Sequence, residues 1–363
     1  MIFRNALLRE LVTAALATFV VLVGIALTTL LVRLLGQAAS GVITSVGAVA
    51  LLGFSMVNYL PVLLSLTLFI AVLMTLTRSY RDSEMVVWFS SGVSLSQWVR
   101  PVLAFAAPLV IVIALLSLAL SPWAVSKSEE LRRQMDSRDD VSAVSPGVFR
   151  ESRQAQRVYF VEEVSGAENL VANVFVSSTQ HGKQGVMVAA RGFQEIAANG
   201  DRFLVLVNGR RYEGEPGTLE YKIYEFQRYA MRIESTEARA DRAPTTRTTS
   251  TIDLLRDRIP QNLAELSWRI GLPASALVLA VLAIPLSFVN PRAGRSMNLV
   301  LALLIYMTYS NLLSVAQASI AQSRITLAAG LLGVHAAMLL LLLLLFYRRL
   351  AVFSLFRLGV RRT

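Results

Sequence analysis

The amino-acid sequence predicts an α-helical membrane protein with six transmembrane helices and an all-β, jelly-roll-like domain inserted between the third and the fourth. Three observations predict it. Of the 363 residues 55% are hydrophobic and only 16% are charged, against about a quarter charged in an ordinary soluble domain, and the mean hydropathy is +0.55. The charges are nearly absent from several long runs and dense in mid-chain, the pattern of membrane segments around one water-soluble domain. That mid-chain region is a series of short β-branched and aromatic runs punctuated by turn dipeptides.

The apolar runs place spans at roughly 11–32, 47–77, 101–122, 268–289, 297–316 and 326–347, each long enough for the ~20 residues that cross the hydrocarbon. The first, Leu11 to Val32, exceeds the length of a signal-peptide core, and no small-residue cleavage site follows it, so it reads as an uncleaved helix. Pro61 lies inside the second, which is longer than a bilayer needs, predicting a kink or an extension beyond the membrane; Pro108, Pro273 and Pro285 mark further tolerated breaks.

Short-loop charge sets the orientation. Arg4, Arg9, Arg78, Arg81, Arg100, Arg292, Arg295 and the basic tail from Arg348 to Arg362 fall on one side, against Arg33 and Arg324 on the other. The positive-inside rule then puts both termini in the cytoplasm and the inserted domain outside it. The chain divides accordingly into 1–126, three spans with a cytoplasmic loop helix; 127–262, the β domain; and 263–363, three spans and the tail. The net charge of +11 is explained by this topology and not by nucleic acid.

The β reading rests on Arg157 to Val164, Val171 to Val176, Gly185 to Ile196, Arg202 to Val207 and Glu220 to Ile233. Asn199-Gly200 and Asn208-Gly209 are hairpin-turn dipeptides, and the alternation of the last run slips near Tyr224, as at a bulge. Several strands at close spacing predict a sandwich or jelly roll. Phe203 to Val207 is apolar on both faces, so it is either doubly buried or lines an apolar groove. Ala238 to Thr251 reads as a linker, and helix resumes between Ile252 and Arg269.

Enzyme motifs are missing. There is no P-loop (Gly182-Lys183-Gln184 lacks the rest of it), no H-E-x-x-H and no G-x-S-x-G. With no cysteine, disulfides, thiol catalysis and cysteine metal sites are excluded. No catalytic residue, metal or cofactor is predicted. Of the two histidines, His181 falls in a domain loop and His335 in the sixth span, where it is either functional or bonded to a neighbouring backbone. No acidic residue falls within the six runs, which argues against an ion-coupled carrier and assigns the energy of any transport to a partner.

Two features point to partners. Between spans two and three, Asp82 or Ser83 is placed to cap a short helix over about 82–91, Glu84 suits its positive N-terminus and Gly92 its end. Met85, Trp88 and Phe89 share one face, which lies on the lipid interface or docks into a groove of a cytoplasmic subunit. Arg33, at the outer end of span one, is a snorkelling anchor or a cation for an anionic headgroup.

Four stretches carry a family resemblance: Leu31 to Gly36, Ser83-Glu84 with Gly92 to Ser94, Ala264 to Ile270, and Pro285 to Arg295, the last the most specific. In their order and spacing the chain resembles, over its whole length, the lipopolysaccharide export permeases of the LptF/LptG type. The resemblance implies a permease that pairs with a paralogous LptG-type permease on a dimeric cytoplasmic ABC ATPase. Such a complex extracts lipopolysaccharide from the inner membrane and passes it from a periplasmic jelly roll to further jelly-roll bridge proteins. It implies that the helix of Asp82, Ser83, Glu84, Met85, Trp88 and Phe89 couples to the ATPase, that spans one and five form lateral gates, and that Arg33 meets the lipid phosphates. The strand faces carrying Phe175, Phe203 and Tyr221 would then line an acyl-chain groove. The residues alone also fit a scaffold or sensor with a protein-binding outer domain, or a permease for another lipid or lipoprotein.

Overall fold

The computed structural model describes residues 2–39, 43, 45–142, 149–152, 157–165, 170–180, 183–197, 202–214, 221–234, 245–288 and 295–358. They form two compact units, Met1–Leu131 with Thr245–Thr363, and Arg132–Pro244.

The first unit is helical: α1 (Ile2–Ala39), α2 (Ser45–Arg81), the short α3 (Glu84–Ser90), α4 (Val99–Leu115), α5 (Ser121–Ser142), α6 (Thr251–Arg256), α7 (Pro260–Leu286), α8 (Arg295–Ala321) and α9 (Leu327–Leu358). Among the described residues six segments are long and apolar enough to cross a membrane: Ala6–Ala39, Gly47–Arg81, Leu95–Met135, Pro260–Leu286, Leu299–Ala321 and Leu327–Arg349. All six predicted spans are present. Each extends beyond its apolar run at one end or both, because the flanking residues are helix formers and nothing breaks the backbone there.

Spans two and four form the centre, 56% and 67% buried, whereas span one is 11% buried. Leu68, Phe69, Val72, Leu73 and Leu76 of α2 share a cluster with Leu272, Ala276, Leu279, Ala280 and Ala283 of α7. The alanines of α7 let the backbones approach, which is how membrane helices gain packing without a hydrophobic drive between them.

Span three continues as helix past residue 126. A π-helical turn, Leu116–Leu120, joins α4 to α5, and the helix runs through Pro122 to Ser142. Pro122 has no N–H for the Leu118 carbonyl four residues back, and the Thr251 hydroxyl donates to that oxygen instead. Beyond the apolar run the residues from Lys127 are polar helix formers, and Lys127 pairs with Glu130. At the far side of the insertion, Ser250 caps α6 by accepting from the Asp253 N–H, and Thr245 onward belongs to the helical unit. Among the described residues the strands run from Arg150 to Glu234.

The second unit holds one six-stranded antiparallel sheet whose neighbours follow chain order: β1 (Arg150–Ser152), β2 (Arg157–Ser165), β3 (Leu170–Gln180), β4 (Lys183–Ile196), β5 (Arg202–Gly214) and β6 (Tyr221–Glu234). The strand order, open at the level of sequence, is therefore a meander. Asn208-Gly209 is not a hairpin turn. It sits inside β5, with Asn208 at φ 53, and belongs to a crease that crosses the sheet. The ladder skips Glu162 opposite Asn173, then Ala190, Asn208 and Gln227 in register. Asn173 is likewise left-handed, at φ 50, a conformation asparagine tolerates.

At the crease each strand's inward spacing becomes three residues instead of two: Val171 to Val174, Ala189 to Gly192, Leu206 to Gly209, Phe226 to Tyr229. One apolar face thus continues across the bend, with Val171, Val174, Val176, Met187, Ala189, Leu206 and Met231 buried together. The bulge expected at Tyr224 is elsewhere: Tyr224 pairs regularly with Arg211, and the register shifts between Arg202 and Phe203. Asn199-Gly200, His181 and the loop from Asn290 to Gly294 lie outside the described residues.

Candidate functional site

The loop helix forms as predicted but is held differently. Gly92, at φ 88, ends α3, with its N–H bonded to the Phe89 carbonyl and the Val93 N–H to the Trp88 carbonyl. The N-terminal side chains do not cap it. Ser83 is left-handed, at φ 61, and its side chain caps no amide of α3, because capping requires an extended N-cap residue. Asp82 turns to the Arg81 Nε at 3.0 Å and the Arg78 Nη1 at 3.3 Å. The hydrogen bond from Arg81, with the charge of Arg81 and Arg78, holds its carboxyl below the usual carboxylate range.

Glu84 accepts from both Arg78 terminal nitrogens, at 3.1 and 3.3 Å. The Arg78 Nε donates to Glu10 of α1. One guanidinium therefore joins α1, α2 and α3.

The predicted apolar face of α3 turns inward. Met85 is buried in the helical core with Leu7, Leu11 and Trp98, and Trp88 and Phe89 pack against the same cluster. Phe89 contacts Tyr80, Tyr80 meets Phe288 edge-on at 5.4 Å, and the Arg349 guanidinium lies 3.9 Å over the Phe288 ring. The outward face is Val86 and Val87, each 65% exposed, with Ser90. Met85 is thus held by the chain's own helices.

Arg33 is exposed and lies within α1, which continues six residues beyond it to Ala39. Phe175 is on the sheet face opposite the buried cluster, in register with Phe160 and Val188. Phe149 lies over Phe160 at 4.7 Å and edge-on to Phe175 at 5.9 Å. Phe203 is also opposite the cluster but beyond the crease, paired with Glu195. Tyr221 pairs with Gly214 at the far end of β6, its side chain outside the described part. The structure therefore groups the α3 residues, builds an aromatic patch around Phe175, and does not bring Phe203 to it.

The six apolar runs hold no acidic residue, but carboxylates lie where the helices extend past them, Glu129 and Glu130 of span three among them. Glu10 lies in span one and Glu265 in span four, both within helix that extends past the apolar runs. Glu265 and Arg269 form a buried pair, 2.9 Å between Oε1 and Nε. Arg269 also donates to the Thr251 hydroxyl and to the carbonyls of Thr246 and Arg247. Its own carbonyl accepts from Ser117, and Gln317 of α8 reaches the second Glu265 oxygen. The signal was present in the sequence as opposite charges four residues apart on one helix. Glu10 shares Arg78 with Glu84, whereas Glu265 is paired with Arg269. In span six His335 Nδ1 meets the Tyr309 hydroxyl at 2.5 Å, so its partner is a side chain and not a backbone group.

The family described as lipopolysaccharide export system permease LptF/LptG matches residues 5–348. This chain belongs to that family. It is 30% identical over 316 residues to the lipopolysaccharide export system permease protein LptF of Escherichia coli K12, covering 85% of this chain and 84% of that protein. The LptF proteins of Escherichia coli O157:H7 and of Shigella flexneri match to the same extent. Family membership and six apolar helices make this an inner-membrane lipopolysaccharide export permease, a transport subunit and not an enzyme. The LptF/LptG match spans both units.

Proposed function

We propose that this LptF/LptG-family chain is the permease subunit of an ATP-driven exporter. It extracts lipopolysaccharide from the outer leaflet of the inner membrane and hands it to a periplasmic bridge. In this reading both termini and α3 are cytoplasmic, the sheet is periplasmic, an LptG-type permease is the membrane partner, and a dimeric ABC ATPase supplies the energy. The observation that carries it is α3, a short helix anchored inward by Met85 and offering Val86 and Val87 outward. It has the form of a coupling element, apolar on the side that a cytoplasmic subunit reaches.

The docking face is accordingly Val86, Val87 and Ser90. The double substitution Val86→Asp, Val87→Asp is expected to lower recovery of the ATPase with the permease pair at least about tenfold, since two charges would be desolvated in the interface. The thermal midpoint of the permease should stay unchanged. Met85→Ala should do the reverse, lowering the midpoint through a cavity worth about 2–5 kcal/mol. Undiminished ATPase recovery with both valines replaced would remove α3 as the docking element.

The cargo is tested by photocrosslinking in membranes with partner subunits and ATP. Probes at Phe175 and Val188 report one sheet face, and a probe at Met187 reports the other. ATP-dependent adducts to lipopolysaccharide at either face support a lipid conduit, and the face that labels identifies the groove. No adduct from any probe in a complex that hydrolyses ATP would give the domain to a protein-binding scaffold.

A further inference from the structure

Besides the apolar packing of Met85 and Trp88, two arms of different kind connect α3 to the rest of the membrane unit. One is aromatic: Phe89 on Tyr80, Tyr80 on Phe288, Phe288 under Arg349. It ties α3 to the ends of spans four and six by packing. The other is ionic and runs through Arg78, to Glu84 of α3 on one side and Glu10 of α1 on the other. The three side chains are 32–41% exposed. Ion pairs so exposed add little to stability, so folding alone does not account for one guanidinium bridging three helices.

The helix at the end of the ionic arm is packed near its ends and exposed in between. Around Glu10, Leu7 and Leu11 are buried in the cluster that contains Met85 and Trp98. Farther along, Val12, Leu16, Val20, Val21 and Ile25 are exposed. Leu30 and Leu34 are buried again near the far end, so span one is packed near both ends and exposed between them, and a displacement at Glu10 is carried by one continuous helix. A cavity of about 350 Å³ lies beside the grip, lined by Ala6, Leu7, Glu10, Arg78 and Glu84 among others, and leaves the guanidinium room to shift without repacking. Arginine suits the position because its planar fork holds two carboxylates at once, which an ammonium does less well.

From this juxtaposition we infer that Arg78 is a positioning residue that transmits movement of α3 to span one through Glu10. The inference rests on the exporter reading for its source of movement, the ATPase beneath α3. It assigns regulation of the first gate helix to the Glu84–Arg78–Glu10 chain, and leaves spans four and six to the aromatic arm.

The test uses the complete complex in lipid nanodiscs and proteoliposomes. Spin labels at Val20 and Leu339, both exposed, report the distance between spans one and six with and without ATP. Glu10→Gln cuts the link to span one while leaving Arg78 on Glu84. It should retain ATPase recovery and hydrolysis, abolish the ATP-dependent distance change, and lower lipopolysaccharide released per ATP by about tenfold, an ordinary coupling between sites. Glu10→Asp keeps the charge and should restore part of both readouts. Unchanged release and distance in Glu10→Gln would overturn the inference. So would loss of the ATPase from Glu10→Gln, which would make the cluster a docking element, or a wild-type complex whose label distance ignores ATP. A wild-type complex that shifts with ATP but releases no lipopolysaccharide would sink the exporter reading and leave the role of Arg78 standing.

Discussion

Arg269→Met should lower the stability of the membrane unit by about 3–5 kcal/mol, the cost of stranding one charge of a buried pair. Arg269 is 2% exposed, and its removal leaves Glu265 with only the 3.5 Å contact from Gln317. It also releases the carbonyls of Thr246 and Arg247 and the Thr251 hydroxyl. Thr251 in turn supports the Leu118 carbonyl at the π-helical turn, so one side chain joins spans three and four to the segment that precedes α6. Replacing both charges, Arg269→Met with Glu265→Met, should recover much of the loss, because an apolar pair carries no desolvation penalty. Thermal unfolding of the full chain in nanodiscs reads both variants. A single variant with the wild-type midpoint would mean that solvent reaches Glu265, by way of the cavity it shares with Asn58, Tyr59, Ser117 and Gln317.

The pair also shows where sequence reading stops. Hydropathy found six spans because crossing lipid requires about 20 apolar residues wherever the chain does it. It misplaced the ends because a helix need not stop where lipid does, and α1, α5 and α7 continue into polar sequence. Glu10 and Glu265 were lost in those margins. The α3 residues were legible as an amphipathic helix, since Met85, Trp88 and Phe89 recur at helical spacing. Which way that helix faces is a tertiary fact, decided by an open pocket between Leu7, Leu11 and Trp98. Val86 and Val87 drew no notice because two exposed valines are ordinary on any surface. In the sheet, strand existence followed from β-branched runs, but Asn208-Gly209 carried a turn signal that the fold spends on a crease. The left-handed asparagine is common to both uses, and only the partner strand tells them apart.

The crease makes Gly209 the second large prediction. Its φ is not left-handed, so the constraint is space and not conformation. A Cβ there would lie 2.5 Å from both the Phe226 Cζ and the Val188 carbonyl oxygen. The ring can rotate, but the carbonyl belongs to the β4 ladder, where Ala189 pairs with Gly209 itself. Gly209→Ala must therefore move backbone at the bend. The expected cost is about 3 kcal/mol, at the upper end of overpacking, and it should appear as faster amide exchange across β4, β5 and β6 in the full chain. Gly192→Ala sets the scale: its nearest neighbours are methyl groups of Val171 and Leu206 at 3.0 and 3.2 Å, which can give, so about 1 kcal/mol is expected. Gly24→Ala, with nothing within 4 Å in α1, should be neutral or slightly stabilising, since alanine is the better helix former. Equal exchange in Gly209→Ala and Gly192→Ala would show that the crease yields, and that strands β4 to β6 are free to open along the line from Asn173 to Gln227. A rigid crease gives the ordering Gly209 above Gly192 above Gly24, and it holds the strand segments around Phe175 and those around Phe203 at a fixed angle on either side of the bend.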